Sequence, residues 1–171
     1  MSPDKIARTR LAFVSAIALG VLALPAFAAM PRLIVWNVSP SVQRGLYMIE
    51  PWARVRKGDL VLTWVPKRAR RLADHRAYVP VAVPLIKPVA AAGGQRVCAA
   101  KQVIRIDGRP VATRFALDPS GRPMPSWSGC RRLRGNELFV LSMPRRSFDG
   151  RYFGVVGEAD ILGKAVLLWA H

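Results

Sequence analysis

The sequence has few of the side chains that carry the commonest hydrolytic and redox chemistries. Among 171 residues there are two histidines, His75 in a basic stretch and His171, so a Ser-His-Asp triad has no suitably placed base. The two cysteines, Cys98 and Cys130, form no Cys-x-x-Cys pair and have no histidine beside them, which argues against a zinc site. Only 10 acidic residues stand against 27 Lys and Arg, and they are scattered, leaving no site for paired-carboxylate glycosidase chemistry. Neither a P-loop nor a dinucleotide fingerprint is present, and no cofactor or metal is expected. Beyond residue 31 there is no long amphipathic helical pattern and no internal repeat, which excludes a helical bundle or solenoid.

One long uncharged apolar run is present, the 21 residues from Leu11 to Pro31. Lys5, Arg8 and Arg10 outweigh Asp4 before it, and its length matches what a helix needs to cross a bilayer. The basic flank should stay in the cytoplasm, which places the rest of the chain outside a bacterial inner membrane, in the periplasm. Ala26-Phe27-Ala28 has the small-x-small form of a signal-peptide cleavage site, whereas the length favours a retained anchor; both readings export the downstream residues. The expected organisation is an anchor or signal segment at 1–31 and one domain at 32–171, near the usual size of a single domain.

Export favours a Cys98–Cys130 disulfide over two buried free thiols. Closing that loop should stabilise the domain by roughly 3–4 kcal/mol on the chain-entropy model. The formal net charge of +17 is concentrated in Lys67-Arg68-Ala69-Arg70-Arg71 and Arg131-Arg132-Leu133-Arg134. A cytoplasmic nucleic-acid binder of the OB type would use such clusters, but an exported domain meets anionic lipid headgroups first. A solvated basic face with no ligand is the simpler alternative. Nucleic acid is not an expected partner.

Strands are expected at 59–65, 84–90, 95–98, 103–106, 109–112, 137–141, 152–156 and 161–169, punctuated by Gly93-Gly94 and by the hairpin signal Asp107-Gly108. The Pro-, Gly- and Ser-rich stretch 116–129 reads as an excursion tied down by Cys130. The fold class is therefore mostly β, with a barrel-like or sandwich core.

Two local features carry chemistry. A polar turn runs from Asn37 through Ser39 and Ser41 to Gly45 and Tyr47, directly after the apolar segment. Lys87 stands alone in the apolar stretch 81–92. A lysine acts as a general base only when neutral near pH 7, so burial must lower its pKa by about 2–3 units, at a cost of roughly 3–4 kcal/mol. Taken singly, the turn is ordinary turn chemistry and the lysine an ordinary snorkelling or edge residue.

Together with a third segment they resemble the type I signal peptidases, peptidase family S26, and most closely the conjugative-transfer branch, the TraF peptidases. The family's first box, Asn-x-Ser/Thr-x-Ser-x-Pro-x-Gly-x-Tyr, is similar at Asn37, Ser39, Ser41, Gly45 and Tyr47. Its lysine box is similar at Leu85-Ile86-Lys87-Pro88-Val89, and its last box at Ser147-Phe148-Asp149-Gly150-Arg151-Tyr152-Phe153-Gly154. The resemblance implies that Ser41 is the nucleophile, Lys87 the general base and Ser39 an oxyanion donor. It also implies that Ser147 orients the lysine amine, with Asp149 and Arg151 as supporting residues. A signal-peptidase-type β-barrel-like domain after an N-terminal apolar helix is implied, as is a membrane-associated endopeptidase. Its expected substrates are pilin precursors or other exported proteins of a conjugative apparatus, and cyclisation of the product is one expected outcome. Three positions depart from the pattern: Gln43 replaces the proline of the first box, Gly150 a serine, and Pro88 an arginine common in bacterial signal peptidases. The competing readings are a general type I signal peptidase and a non-catalytic envelope component that binds through its basic face.

Overall fold

Burial alternates along residues 96–100 and 103–106, whereas 60–63 and 137–140 are buried almost throughout. The computed structural model describes residues 13–15, 17–20 and 34–171. The chain divides into two compact units, Met1–Pro31 and Arg32–His171. The N-terminal apolar helix expected at 1–31 lies largely outside the described residues; 13–15 and 17–20 are helical, and among the described residues no helix is long and apolar enough to cross a membrane.

The second unit is mostly β, as expected. A six-stranded antiparallel sheet runs in the order β1-β2-β10-β3-β4-β9. Its strands are β1 (Ile34–Asn37), β2 (Gly45–Glu50), β3 (Leu60–Thr63), β4 (Leu85–Ala91), β9 (Phe139–Val140) and β10 (Ile161–Ala170). The smaller sheet, β7-β6-β5-β8, comprises β5 (Arg96–Ala100), β6 (Val103–Ile106), β7 (Arg109–Thr113) and β8 (Gly129–Arg132). Asp107 and Gly108 both take positive φ, 49° and 80°, so the two-residue turn has the backbone twist that suits a tight hairpin between β6 and β7. Cys98 lies directly opposite Cys130 in the β5–β8 ladder and is bonded to it.

In β3, Val61, Leu62 and Thr63 are all buried, because the large sheet is covered on both faces. Leu62 joins Tyr47, Ile49, Ile86 and Ala165 in one cluster; Val61 joins Val89, Val140, Phe153 and Val156 in another. Lys87 pairs with Val61 across the ladder and is two residues from Val89, so the pleat aims it at the second cluster.

The basic stretch after β3, which the sequence leaves as a surface loop or a short helix, is the helix α1 (Lys67–His75), and it buries Ala69 and Ala73. Much of its charge is used internally: Arg70 bonds Val65 O and Asp160, and Arg68 bonds the carbonyls of Phe153 and Val155. In the other basic cluster Arg131 pairs with Glu137. The segment 152–156 is not a strand. Residues Gly150–Phe153 form the one-turn helix α2, because the Asp149 carboxylate accepts the Arg151 N–H at its start and Gly154, at φ 72°, ends it. Val156 alone retains strand character, in an isolated bridge to Leu138.

Candidate active site

The hairpin β1–β2 closes through residues 38–44, and that loop is held from its base. Asn37 Oδ1 accepts the Ser39 N–H at 3.1 Å, and its Nδ2 donates to the carbonyls of Ser39 and Gln43, each at 3.0 Å. Tyr47, wholly buried, donates its hydroxyl to the same Gln43 carbonyl at 2.7 Å. The turn is therefore organised by Asn37 and Tyr47 around a backbone carbonyl, which supplies restraint where the first box otherwise carries proline. Gly45 is required here: its φ is +147°, and a Cβ would lie 2.0 Å from the Trp169 carbonyl oxygen of β10.

Within this loop Ser39 Oγ and Ser41 Oγ are 2.9 Å apart, and the Ser41 N–H donates to Ser39 Oγ at 3.3 Å. Both serines are half-buried. Ser39, Ser41, Lys87 and Ser147 line one cleft of about 570 Å3, whose walls include Val38, Tyr78, Val79, Val83, Leu85 and Phe148. The four residues come from the β1–β2 loop, from β4 and from the loop before α2.

Lys87 is 3% exposed and donates to Ser147 Oγ at 2.7 Å. Burial lowers its pKa from the ordinary 10.5 to about 8; Asp149 pulls it upward and Arg151 pushes it down. Ser147 is delivered by a buried ion pair behind it, outside the cleft lining. Arg151 Nη1 donates to Asp149 Oδ2 at 3.2 Å and to Pro144 O at 2.9 Å, and its Nη2 donates to Ser142 O at 2.5 Å. Asp149 also accepts the Ser142 N–H at 3.0 Å. Burial raises the Asp149 pKa against the pull of Arg151. These bonds staple residues 142–144 to α2 and set the path of the loop carrying Ser147.

Gly150 has no room for a side chain, since a Cβ there would meet Val140 O at 2.6 Å and the Phe139 ring at 2.7 Å. The serine usual at this position would collide with Phe139.

Cys98 and Cys130 lie in the small sheet and take no part in this site. Sequence reasoning did not single out Tyr78, Asp118, Arg122 or Phe148. Tyr78 and Phe148 pack with ring centroids 5.3 Å apart on the cleft wall. Asp118-Pro119-Ser120-Gly121 is a readable turn signal, but its link to Tyr78 spans 40 positions and leaves no local trace.

Two oxygen nucleophiles, a desolvated amine and an apolar cleft are a combination suited to acyl transfer. The chain belongs to the signal peptidase family, peptidase S26, whose model matches residues 6–170, and with it to the serine peptidases. It is 38% identical over 139 residues to the conjugal transfer protein TraF of Agrobacterium fabrum, covering 75% of this chain and 78% of that one. It is 39% identical over 139 residues to the probable conjugal transfer protein TraF of Sinorhizobium fredii, covering 75% and 73%. A solved signal peptidase I from Enterococcus faecalis superposes with a TM-score of 0.38 at 16% identity, over 66% of this chain and 97% of that one. Family membership rests on the first two comparisons and the family model.

Proposed function

We propose that the protein is a serine endopeptidase in which Ser41 is the nucleophile and Lys87 the general base, and that it processes a pilin precursor or another exported protein during conjugative transfer. The observation that carries this reading is the state of Lys87: an amine buried among apolar side chains, with its pKa brought down to about 8, in the cleft that Ser41 lines. The relatives' part in conjugal transfer supports the setting.

In this mechanism Ser41 Oγ turns from Ser39 towards Lys87, and neutral Nζ takes its proton as Oγ bonds to the scissile carbonyl carbon. Ser39 Oγ and the Ser41 N–H then face the oxyanion. Collapse breaks the C–N bond, and the Lys87 ammonium passes its proton to the leaving amine. Water attacks the resulting ester, gives its proton to Lys87, and Ser41 Oγ recovers a proton as the acyl group departs. If the substrate's own amino group takes the place of water, the product is cyclic. The apolar cleft favours small residues such as alanine on the acyl side of the cut. Attachment to the inner membrane with the domain in the periplasm, aided by anionic headgroups near the basic residues, would bring it to exported substrates. A general signal peptidase is the second reading, supported by the family model.

The test is co-expression with a pilin precursor and intact-mass analysis of the product. Ser41→Ala and Lys87→Ala should each abolish removal of the terminal peptide while the protein stays folded. Cleavage of general preproteins but not of the pilin precursor would favour the second reading, and processing by either variant would remove the dyad.

A further inference from the structure

One wall of the cleft is a small hairpin without regular strands. Met124 N donates to Ala116 O at 2.8 Å, Leu117 bridges Pro123, and Asp118 N donates to Arg122 O at 2.9 Å. At its tip Asp118 Oδ1 accepts the backbone N–H groups of Ser120 and Arg122, at 2.9 and 2.8 Å. Its other oxygen leaves the hairpin: Oδ2 accepts the Tyr78 hydroxyl at 2.5 Å as well as Arg122 Nε at 2.6 Å. The Arg122 guanidinium also lies 5.7 Å from the Tyr78 ring centroid. The base of the hairpin is tied separately, through Phe115 N to the Tyr152 hydroxyl at 3.2 Å and through Arg145 and Arg146 over the Phe115 ring.

Asp118, Pro119 and Met124 line the main cleft and also a second, open pocket of about 80 Å3 that Phe115, Leu117 and Tyr152 line as well. The hairpin is thus a partition with space on both sides of it. Such a wall yields under a bulky ligand unless its tip is held, and the hold to Tyr78 is a charge-assisted, part-buried hydrogen bond.

We infer that the Tyr78–Asp118 hydrogen bond latches this hairpin and so fixes the size of side chain the cleft accepts next to the cut, which makes Tyr78 a positioning residue for substrate selection. The inference rests on the peptidase reading above. Loosening the tip, which Arg76 also holds through the Pro123 carbonyl at 2.5 Å, lets Pro119 and Met124 retreat towards the rear pocket, and the cleft then admits larger residues.

The experiment uses the full-length chain in detergent and two internally quenched peptides of one sequence, with alanine or leucine before the cut. In Tyr78→Phe, which keeps the ring and removes the hydroxyl, the alanine-to-leucine ratio of kcat/KM should fall about tenfold, the scale on which one side chain's fit is discriminated. The change should lie mainly in KM for the leucine peptide. Simple destabilisation would lower both rates together and leave the ratio alone. Met124→Ala thins the same wall without touching the latch and should move the ratio in the same direction; it decides the matter if Tyr78→Phe does not fold. A ratio unchanged in the folded variants, with Ser41-dependent cleavage intact, overturns the latch and leaves the peptidase standing. Absence of Ser41-dependent cleavage of either peptide by the unmodified chain overturns both.

Discussion

Lys87 Nζ and Ser147 Oγ meet at 2.7 Å although 60 positions separate them in the chain. The amine comes from β4 and is aimed at an apolar cluster that β3, β4 and the chain after residue 138 build, and the hydroxyl from a loop stapled by Arg151 and Asp149. Orientation and desolvation of the amine thus have different structural sources, and each can be removed separately.

Removing orientation is the milder change. Ser147→Ala should leave Lys87 buried but free to rotate, lowering kcat by about 10–100-fold with little effect on KM. Steady-state kinetics on a precursor-derived peptide would check it, and a change confined to KM would contradict it.

The pH profile depends on the same amine. The proposed mechanism needs neutral Lys87, so kcat/KM should rise with pH and level off above about 8, where burial has brought its pKa. A profile flat down to pH 5 would exclude Lys87 as the base.

Stability should respond in a related way. The folded pKa, about 8, lies below the ordinary 10.5, so between these values the unfolded chain holds the extra proton and the folded state gains stability as pH rises. At pH 7 the full penalty stands, roughly 3 kcal/mol. Lys87→Met removes it but leaves Ser147 Oγ without its donor, at about 1 kcal/mol or more. The inactive variant should therefore be more stable by about 1–2 kcal/mol at pH 7, with the gain shrinking towards pH 10 in denaturant titrations.

The disulfide closes a loop with a sequence separation of 32 and does not line the cleft. Cys98→Ser with Cys130→Ser should lower unfolding free energy by about 3–4 kcal/mol on the chain-entropy model and leave KM unchanged in the population that remains folded. Urea unfolding with and without reductant measures the first effect.

Restoring the family's serine should be harmful in this chain. Gly150→Ser drives a Cβ into Val140 O and the Phe139 ring, and should destabilise by about 1–3 kcal/mol. A smaller residue, as in Phe139→Leu, should recover part of that loss in thermal unfolding. A neutral Gly150→Ser would show that α2 shifts more easily than its contacts imply.

Much of the fold was legible because its signals are local. Alternating or continuous apolar runs located most strands of the second unit, and Asp107-Gly108 marked its hairpin through the positive φ that both residues adopt. The one-turn helix was not legible. Arg151-Tyr152-Phe153 reads as a strand until the Asp149 carboxylate is seen to cap it, and a single helical turn has no period to detect. Composition likewise does not reveal the internal partners of the basic clusters: Arg68 bonds backbone carbonyls, Arg70 pairs with Asp160 and Arg131 with Glu137.

By itself the sequence determined which residues could do chemistry: two serines two apart in a turn, one lysine in an apolar strand, and a serine followed by Phe-Asp-Gly-Arg. What lowers that lysine's pKa was decided only by tertiary structure. Its pKa depends on apolar side chains packing around it from β3, β4 and the chain after residue 138, and its direction on a hydroxyl held by a distant ion pair. Desolvation is a property of everything that surrounds a group, and no stretch of sequence contains its own surroundings.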